Sequence, residues 1–364
     1  MLKTDFKEIL SSQLFKTVSE TADELGLETY VIGGFVRDHL LDRKRKNADI
    51  DFVVIGSGIK LAQEVQKKLP NATKVQVFKT YGTAMLKWED ISLEFVGARK
   101  ESYAPESRNP EVSEGSLQDD QNRRDFTINA MAISLNKEAY GTLLDPFDGL
   151  ADLEKGILRT PLEPGITYSD DPLRMLRAVR FASQLDFTIE KESLDAIKEH
   201  ADRISIITKE RCIDEINKIM QCNQPSFGFL LLDEVKLLHL LLPELIDLKG
   251  IEEVEGQTHK DNFYHTFEVV DNICRTTDDL WLRWAALLHD IGKAPTKRFH
   301  KKNGWTFHGH EFVGAKMVYK LFKRMKMPLN EKMKFVQKMV LMSSRPIVIA
   351  EDLVTDSAVR RLIF

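Results

Sequence analysis

Hydrophobic and polar residues follow two different patterns along this chain, and the change falls near residue 170. Up to that point, short β-branched and aromatic runs alternate with amphipathic segments, which is typical of a mixed sheet with a few helices. The predicted strands lie at 30–32, 50–55, 73–78, 83–88 and 91–96, and the predicted helices at 6–25, 33–41 and 58–69.

Beyond residue 170 the strand pattern disappears, and apolar residues recur at helical spacing. The fold class is therefore predicted to be α+β, with a mixed head at 1–155, a helical neck and body at 156–250, and a further helical domain at 251–364. The predicted helices lie at 172–184, 190–201, 208–221, 228–241, 262–274, 279–291, 309–325 and 330–342.

Two segments lack a clear period or a clear end. Residues 101–122 are polar and contain Pro105, Pro110 and Gly115, which predicts a loop of about twenty residues, a length typical of functional or mobile loops. The last five residues form an apolar helical stretch without a capping signal, so we expect the helical domain to be truncated at Phe364.

Composition restricts the classes of function. Of 364 residues, 43% are hydrophobic and 30% are charged, which excludes a disordered or fibrous protein. The net charge of −4 excludes a surface that is basic all round, so a nucleic-acid partner would have to meet a local basic patch. Three cysteines without CxxC spacing, no signal-peptide core and no uninterrupted apolar span predict a soluble cytoplasmic protein without a disulfide framework.

Asp49 and Asp51 are the first candidate catalytic residues. They lie two residues apart at the start of a predicted strand, so both carboxylates point to the same face. Such a pair repels itself unless a cation lies between, and Mg²⁺ binds few protein carboxylates and completes its shell with water and phosphate oxygens. The pair therefore suits two-metal phosphoryl transfer, although a solvated pair that caps a turn has the same sequence.

Candidate phosphate-binding groups lie on either side of this pair. Gly33-Gly34 joins a strand to a helix, where bare amides can hold phosphate, and Arg37 can add a charge-assisted contact one turn later. A tight turn with a surface arginine is the alternative. Glu94, in the strand at 91–96, is either a third catalytic carboxylate or an exposed strand residue.

A further polar group lies beside the apolar run at 126–131. Its arginines, Arg123 and Arg124, offer guanidinium groups to the phosphates or sugar of a nucleotide, and Asp125 and Asn129 complete the candidate nucleotide site. In the alternative interpretation, Asp125 caps a helix and both arginines are solvated.

Five motifs occur in order along the chain: GGFVRD at 33–38, DID at 49–51, RRDFTINAM at 123–131, LLDPFDGLADL at 143–153 and DDPLRMLRAVRFA at 170–182. Together they resemble the class II tRNA nucleotidyltransferase and bacterial poly(A) polymerase family, within the polymerase-β-like nucleotidyltransferases. The resemblance implies a polymerase-β-like head and a Mg²⁺-dependent enzyme that adds CCA to the 3′ end of tRNA from CTP and ATP. Poly(A) synthesis, or addition of only CC or only A, are the alternatives.

The segment around residue 105 resembles the mobile segment of that family. Its Glu101, Tyr103 and Arg108 favour, by family analogy alone, an enzyme able to switch from C to A.

The resemblance also implies that the helix after Asp170 recognises the incoming base. The family's acid–Asp–x–x–Arg motif is matched by Asp171 and Arg174, with Asp170 where the family more often has Glu. A carboxylate can accept from the amino group of cytosine or adenine while a guanidinium donates to the ring, an order that guanine and uracil do not match. Asp171 before Pro172 is equally suited to cap the helix.

Further charged residues continue along this neck. Arg177 and Arg180 lie near the helix face of Arg174, and we assign them to the triphosphate, although an arginine stripe is usually a solvated face. The residues that loosely match the family's last motif are predicted to brace the base-reading helix through ion pairs; they are Arg211, Glu215 and Lys218.

Histidines concentrate in the last third of the chain. His265, His289, Asp290 and His310 are candidate ligands of a second divalent metal, and their spacing resembles HD-type phosphohydrolases. A degenerate domain without metal, its histidines hydrogen-bonded, is the alternative. Two functions from other classes compete with nucleotide addition: an HD phosphohydrolase with a nucleotide-sensing head, and a non-catalytic RNA-binding protein. Weaker ligand candidates are His308 and Asp356.

Basic residues cluster in the same region, with Glu331 as the one acid among them. The cluster could contact RNA phosphates, and a solvated helix face would explain it almost as well. Its members are Lys316, Lys320, Lys323, Arg324, Lys326, Lys332, Lys334 and Lys338.

Overall fold

The computed structural model describes residues 2–43, 49–102 and 111–345. The chain divides into two compact units: unit 1 comprises Met1–Arg174 with Phe187–Ala196, and unit 2 comprises Met175–Asp186 with Ile197–Phe364. The first elements in chain order are α1 (Lys7–Leu10), α2 (Gln13–Leu25), β1 (Thr29–Ile32), α3 (Gly34–Leu40), β2 (Asp49–Val54), α4 (Gly58–Lys68), β3 (Gln76–Phe78), β4 (Thr83–Trp88), β5 (Ile91–Gly97), β6 (Arg99–Ser102), β7 (Glu111–Glu114), α5 (Leu117–Asn122), β8 (Ala132–Ser134), β9 (Leu143–Leu144), α6 (Gly149–Lys155), β10 (Ile157–Leu158) and α7 (Pro164–Asp170).

The remaining elements are mainly helical. α8 begins in unit 1 and continues into unit 2. The elements are α8 (Leu173–Leu185), β11 (Thr188–Ile189), α9 (Lys191–His200), α10 (Lys209–Met220), α11 (Pro225–Glu234), α12 (Leu238–Leu241), α13 (Pro243–Ile246), β12 (Glu253–Val254), β13 (Gln257–Thr258), α14 (Asn262–Cys274), α15 (Leu280–Leu288), α16 (Lys293–Thr296), β14 (Arg298–His300), β15 (Gly304–Thr306), α17 (His310–Arg324) and α18 (Glu331–Met342).

The described residues of unit 1 build a seven-stranded mixed sheet in the order β3-β4-β5-β2-β1-β8-β9. β2 and β5 pair in parallel, whereas the other neighbouring strands pair antiparallel. The parallel register places Asp51 directly beside Glu94. Because partners in register project from the same face, the sheet itself brings two of the candidate carboxylates together.

Alternation along β2 separates chemistry from packing. Phe52, on the face opposite Asp51, stacks on Phe95 of β5 with ring centroids 4.8 Å apart and contacts Phe15 of α2 edge-on at 6.1 Å. α4 packs close to β5, because a Cβ on Gly58 would come 2.9 Å from the Phe95 carbonyl oxygen. The aromatic layer under the helices therefore fixes the strand that presents the carboxylates on its other face.

Buried polar contacts connect the helices of unit 2. Trp284 of α15 is fully buried, and its Nε1 donates to Asn217 Oδ1 of α10 at 2.8 Å. The neighbouring Arg283, also buried, donates to the carbonyl oxygens of Met220 and Cys222 at 2.9 and 3.1 Å. Its cation thus satisfies carbonyls at the C-terminal end of α10, where the helix has no partners of its own.

The predicted α+β class is confirmed, and several predicted elements need correction. The segment 101–122 is wrong as a continuous loop, because β6 and β7 form an antiparallel hairpin and α5 follows. Ser116 and Asp119 cap that helix reciprocally, a signal that the polar composition concealed. Residues 103–110, which include Tyr103 and Arg108, lie outside the described residues.

Two predicted helices are interrupted. The helix at 6–25 divides into α1 and α2 at Ser11-Ser12, residues that favour helix ends. The helix at 228–241 divides into α11 and α12, where Lys236 adopts a left-handed backbone with φ +63°. Short strands also occur beyond residue 170, as the hairpins β12–β13 and β14–β15 and as β11, which pairs with β10. The three-domain division stays a prediction, and none of the described helices is long and apolar enough to span a membrane.

Candidate functional site

The candidate catalytic carboxylates lie on one face of the sheet in unit 1, on the neighbouring interior strands β2 and β5. Asp49 is exposed at the start of β2, the Asp51 side chain is 38% exposed, and Glu94 is half-buried beside it. Burial raises the pKa of Asp51, and Asp49 raises it further, although Arg124 opposes both effects. Burial and the charge of Asp51 likewise raise the pKa of Glu94. Two partly buried acids with raised pKa values therefore lie side by side here, next to Arg124.

These carboxylates fit a divalent cation. Mg²⁺ takes one or two protein carboxylates and completes its octahedron with water and substrate phosphates, so Asp49 and Asp51 suffice as protein ligands. Glu94 adds negative charge next to the pair. The donor set therefore suits Mg²⁺ held jointly by protein and nucleotide.

The Gly33-Gly34 turn lies against these carboxylates. Gly33 has φ +82°, and a Cβ there would come 3.1 Å from Arg124 Nη1 and 3.5 Å from Asp51 Oδ2. Both the backbone conformation and the space therefore require glycine. The structure thus brings the turn, Asp51 and Arg124 together, and α3 begins at Gly34 directly behind them.

Arg37 lies inside unit 1. It is 1% exposed, its Nη1 donates to Asn129 Oδ1 at 2.6 Å, and its Nε donates to Asp38 Oδ1 at 2.9 Å. Asn129 Nδ2 in turn donates to Asp125 Oδ1 at 2.9 Å, and that oxygen also accepts from the Phe126 amide. The contacts seen for Arg37, Asp125 and Asn129 are internal, and direct nucleotide contact by them stays a prediction.

Asp120 is a residue that the sequence reasoning missed. It is fully buried on α5, and its Oδ2 accepts from Nε and Nη2 of Arg124 at 3.1 and 3.0 Å, while its Oδ1 accepts from Nε of Arg123 at 2.9 Å. Burial alone would raise the pKa of Asp120, but Arg124 and Arg123 together hold it below its usual value. The detectable signal was an acid three and four residues before two arginines.

Arg124 lies between two acids. Burial alone would lower the pKa of Arg124, but Asp120 and Asp51 raise it above its usual value. Its Nη1 lies 4.0 Å from Asp51 Oδ2, on the side of the guanidinium away from the Asp120 contacts. Asp120 therefore fixes the orientation in which Arg124 faces the carboxylates and the Gly33 turn.

The residues proposed to read the base lie at the start of α8. Asp171 Oδ1 accepts from the Leu173 amide at 3.1 Å, so the helix-capping interpretation of this carboxylate is the one observed. Arg174 is 9% exposed, and its Nη1 and Nη2 donate to the carbonyl oxygens of Thr167 and Arg123 at 3.2 and 2.5 Å. Base recognition by this pair stays a prediction.

The part of α8 in unit 2 has its own ion pair. Arg180 Nε donates to Glu215 Oε2 at 3.0 Å, and Lys218 Nζ donates to Glu215 Oε1 at 2.7 Å. The predicted bracing of α8 is therefore confirmed for Glu215, whereas Lys218 pairs with Glu215 on its own helix. The guanidinium of Arg180 also lies 3.5 Å from the Phe181 ring centroid, and that of half-buried Arg177 lies 5.3 Å from it. Triphosphate contact by Arg177 and Arg180 stays a prediction, and Arg211 is half-buried on α10.

Replacing Glu215 by alanine is expected to destabilise unit 2 by about 3–5 kcal/mol at pH 7, because buried Arg180 loses its counterion. Burial would raise the pKa of Glu215, but Arg180 and Lys218 hold it below its usual value. A carboxyl with a lowered folded-state pKa stabilises the fold above its unfolded pKa, and that contribution is lost as the pH falls through the folded value. Urea unfolding should therefore show a wild-type advantage over Glu215→Ala that narrows below about pH 4; an equal difference at pH 3 and pH 7 would contradict the pairing.

The predicted ligands of the second metal lie close together in unit 2. Ligand atoms of His265, His289 and Asp290 lie within 4.8 Å of one another, and His289 Nε2 is 3.1 Å from Asp290 Oδ2. His310 Nε2 lies 3.6 Å from Asp290 Oδ1. Gly292 permits this approach, because a Cβ there would overlap the His310 carbonyl oxygen at 2.0 Å.

The donor set of this cluster fits a divalent metal. Two imidazoles and a carboxylate suit Zn²⁺, Mn²⁺ or Fe²⁺. Burial, with the charge of Lys260, lowers the pKa of His265 and so favours the neutral form that binds metal. Lys260 Nζ contacts His265 Nδ1 at 2.8 Å, and Lys293 Nζ contacts Asp290 Oδ2 at 2.7 Å. His308 is exposed, and Asp356 lies outside the described residues.

Removing this cluster should remove a bound metal. We expect the wild-type protein to bind about one divalent ion per chain at this cluster, in addition to any ion bound by Asp49 and Asp51. His265→Ala Asp290→Asn should lose that ion, since two of the three closest donors are gone. Metal content after dialysis, measured with the Asp49→Asn Asp51→Asn protein as a matched control, tests this. Equal metal content in both double variants and the wild type would contradict the assignment.

Comparison with known proteins agrees with this arrangement. The family described as poly A polymerase head domain matches residues 29–159, the family described as probable RNA and SrmB-binding site of polymerase A matches 186–248, and the HD domain family matches 262–361. Each part of the structure thus falls within a matched region. These parts are the head with Asp49, Asp51 and Glu94, the helical region after it, and the histidine cluster. They define a nucleotidyltransferase head joined to a helical body and an HD domain.

Individual relatives and a solved structure make the family assignment more specific. The multifunctional CCA protein of Shewanella frigidimarina is 33% identical over 315 residues, which cover 83% of this chain and 70% of that protein. The A-adding tRNA nucleotidyltransferase of Aquifex aeolicus is 44% identical over 173 residues, which cover 48% of this chain but only 20% of that protein. A crystal structure of a tRNA nucleotidyltransferase with a primer tRNA and an incoming ATP analogue superposes with a TM-score of 0.65 and 28% identity, covering 95% of this chain and 90% of that one. The chain belongs to the family of CCA-adding tRNA nucleotidyltransferases and bacterial poly(A) polymerases.

Proposed function

We propose that this protein adds nucleotides to the 3′ end of tRNA and completes CCA from CTP and ATP. One observation supports the proposal above all: a set of catalytic and phosphate-binding candidates lies together on one face of the head. The set consists of Asp51, Glu94, Arg124 and the Gly33 turn. Family membership supports the reaction class, and the relatives named multifunctional CCA protein support the full CCA product.

The proposed reaction joins the terminal 3′ oxygen of the tRNA to the α-phosphorus of the nucleotide, while the bond from that phosphorus to the bridging oxygen breaks and pyrophosphate leaves. Mg²⁺ held by Asp49 and Asp51 would activate the hydroxyl and neutralise the departing charge. Amides of the Gly33-Gly34 turn and the guanidinium of Arg124 hold the triphosphate in line for this attack. Asp120 keeps Arg124 in that position.

Base selection is assigned to the start of α8. Arg174 donates two hydrogen bonds to backbone carbonyls, and a guanidinium offers five N–H donors, so it can retain these contacts and also donate to a base. Asp171 would accept from the exocyclic amino group of cytosine or adenine. Because guanine and uracil leave this pair unsatisfied, C and A are favoured.

The product itself is best tested by nucleotide incorporation. Purified protein is given tRNA lacking its 3′ CCA, with Mg²⁺ and either CTP alone, ATP alone or both. Two residues from CTP followed by one from ATP would establish CCA addition. Incorporation of CC only, or of A only on a CC-ended primer, would establish a partial activity, and long A tracts would establish a poly(A) polymerase.

A second activity is favoured by a separate observation. The clustered His265, His289 and Asp290 support metal-dependent phosphate-ester hydrolysis in the HD domain, independent of the head. Phosphate release from nucleotides and 2′,3′-cyclic phosphates, compared between wild type and His265→Ala Asp290→Asn, tests it. Full release by the variant would reject this activity.

A further inference from the structure

The outer face of α17 combines aromatic and basic residues in one stripe. We define the α17 stripe as Phe312, Lys316, Tyr319, Lys320 and Lys323, whose spacing of four, three, one and three residues places them on one side of a helix. All five are exposed, with Phe312 at 57% and Tyr319 at 43%. The Lys316 ammonium lies 4.0 Å from the Phe312 ring centroid, so cation and ring form one surface.

The opposite face of α17 explains why the stripe points to solvent within unit 2. Val318, Leu321 and Phe322 are fully buried, and Gln337 of α18 donates to the Ala315 carbonyl oxygen at 2.9 Å. Gly314 also approaches Val340, at 3.1 Å from a Cβ built on the glycine. The helix is therefore anchored through α18, and the exposed aromatic rings of the stripe are not needed for its packing.

One member of the predicted basic cluster has a structural role instead. Arg324 pairs with both carboxylate oxygens of Glu244 at 2.7 and 2.8 Å and donates to the Leu241 carbonyl oxygen. By contrast, no described acid forms an ion pair with Lys316, Lys320 or Lys323. The three stripe lysines thus differ from the basic residue that braces the fold.

Charge is distributed unevenly between the segment that contains α17 and α18 and the rest of the chain. Residues 310–342 contain eight lysines and arginines and two glutamates, a formal charge of +6, whereas the whole chain has −4, which leaves −10 for the remainder. A helix face that is merely solvated usually alternates acids with bases, and the stripe has no acid. A polyanion is the partner that this surface complements.

We propose that the α17 stripe is an RNA-docking surface, with the lysines on backbone phosphates and the two rings stacked on unpaired bases. Lysines with interleaved exposed aromatics are the combination that binds RNA carrying unstacked bases, because the rings contribute little to binding a smooth anionic surface. This inference rests on the proposed function in one respect, because it takes tRNA to be the RNA that binds. It concerns a surface of the HD domain remote in sequence from the carboxylates of the head.

Binding of labelled tRNA lacking its CCA, measured at several salt concentrations, tests the proposal. Lys316→Gln Lys320→Gln Lys323→Gln should weaken binding at least about tenfold near 0.1 M salt and reduce the salt slope by about two to three, since each of three lost phosphate contacts removes about 0.7–0.9. Phe312→Ala Tyr319→Ala should weaken tRNA binding about tenfold but leave a blunt RNA duplex unaffected, because stacking needs unpaired bases. The matched control is Lys16→Gln Lys60→Gln Lys87→Gln, which removes three exposed lysines from unit 1.

Nucleotide addition separates this proposal from the proposed function. If the wild type adds nucleotides, the lysine variant should raise KM for tRNA about tenfold with kcat unchanged. Binding by the lysine variant equal to that of the control would overturn the docking surface while leaving catalysis intact. A wild type that adds no nucleotide, together with lost RNA binding in the stripe variants, would reject the function and support the surface. A changed oligomeric state with unchanged RNA binding would make the stripe a protein interface and overturn the proposal.

Discussion

Replacing both Asp49 and Asp51 by asparagine is expected to reduce nucleotide addition by at least about 10³-fold, equivalent to about 4 kcal/mol of transition-state stabilisation. Asparagine preserves the shape of each side chain and removes the negative charge that would hold Mg²⁺. Asp51 should be the more sensitive of the two, because it lies beside Glu94, the Gly33 turn and Arg124, whereas Asp49 is exposed at the start of the strand. Single-turnover incorporation of CTP into tRNA lacking CCA measures the loss.

The same substitution should not weaken the fold. Burial and neighbouring acids raise the pKa of Asp51, so ionising this carboxyl costs more free energy in the folded than in the unfolded chain. Asp51→Asn removes this cost, and its thermal unfolding midpoint is expected to equal or exceed that of the wild type. A variant that unfolds at lower temperature would make the lost activity uninformative.

A variant of the histidine cluster serves as the control for catalysis. His265→Ala Asp290→Asn changes the other candidate metal site and should retain nucleotide addition, because those residues belong to unit 2, whereas Asp49, Asp51 and Glu94 belong to unit 1. Full addition activity in Asp49→Asn Asp51→Asn would refute the proposed role of the head. Loss of addition in both double variants would instead indicate that the two metal sites act together.

The positions of Asp49, Asp51 and the Gly33 turn could be predicted from the sequence, because their determinants are local. The i, i+2 spacing of Asp49 and Asp51 fixes their common face, and Gly33 marks a turn whose positive φ and close approach to Arg124 favour glycine. The pairing of Asp51 with Glu94 needed the sheet order, in which β5 lies beside β2 although β3 and β4 intervene in sequence. A parallel register across such a crossover leaves no trace in residue spacing.

Arginine roles were harder to predict because burial decides them. Arg37 and Arg180 have the spacing of phosphate ligands, and the structure places Asn129, Asp38 and Glu215 next to them, so their contact with phosphate stays a prediction. A guanidinium satisfied by buried protein acceptors and one aimed at a nucleotide look the same in sequence. The acceptor that separates them is often distant, as Glu215 is from Arg180, and periodicity does not identify such a partner.

Replacing Asp120 by asparagine is expected to have the second-largest effect on nucleotide addition, although Asp120 is not itself proposed to contact the nucleotide or the tRNA. Its carboxylate is fully buried and accepts hydrogen bonds from both Arg123 and Arg124. Asp120→Asn removes the charge that both guanidinium groups face, so Arg124 is free to form a closer ion pair with Asp51, which lies 4.0 Å away. We expect addition to fall about 10²-fold, as for loss of one preorganised donor, and the half-saturating Mg²⁺ concentration to rise.

The Mg²⁺ requirement distinguishes positioning from a merely structural role. A structural defect would lower the unfolding midpoint and the active fraction but would leave the half-saturating Mg²⁺ concentration unchanged. Asp119→Asn, on the same helix, is the matched control, because the Asp119 carboxylate accepts hydrogen bonds from Ser116 and forms no described ion pair with Arg123 or Arg124. Removing the competing cation should reverse the effect: in Asp120→Asn Arg124→Ala, the Mg²⁺ requirement should return toward the wild-type value while the rate stays low, since the triphosphate has lost its guanidinium. An unchanged Mg²⁺ requirement in Asp120→Asn would show that Asp120 stabilises α5 without directing Arg124, and the orientation of that arginine would then have to come from Asp51 itself.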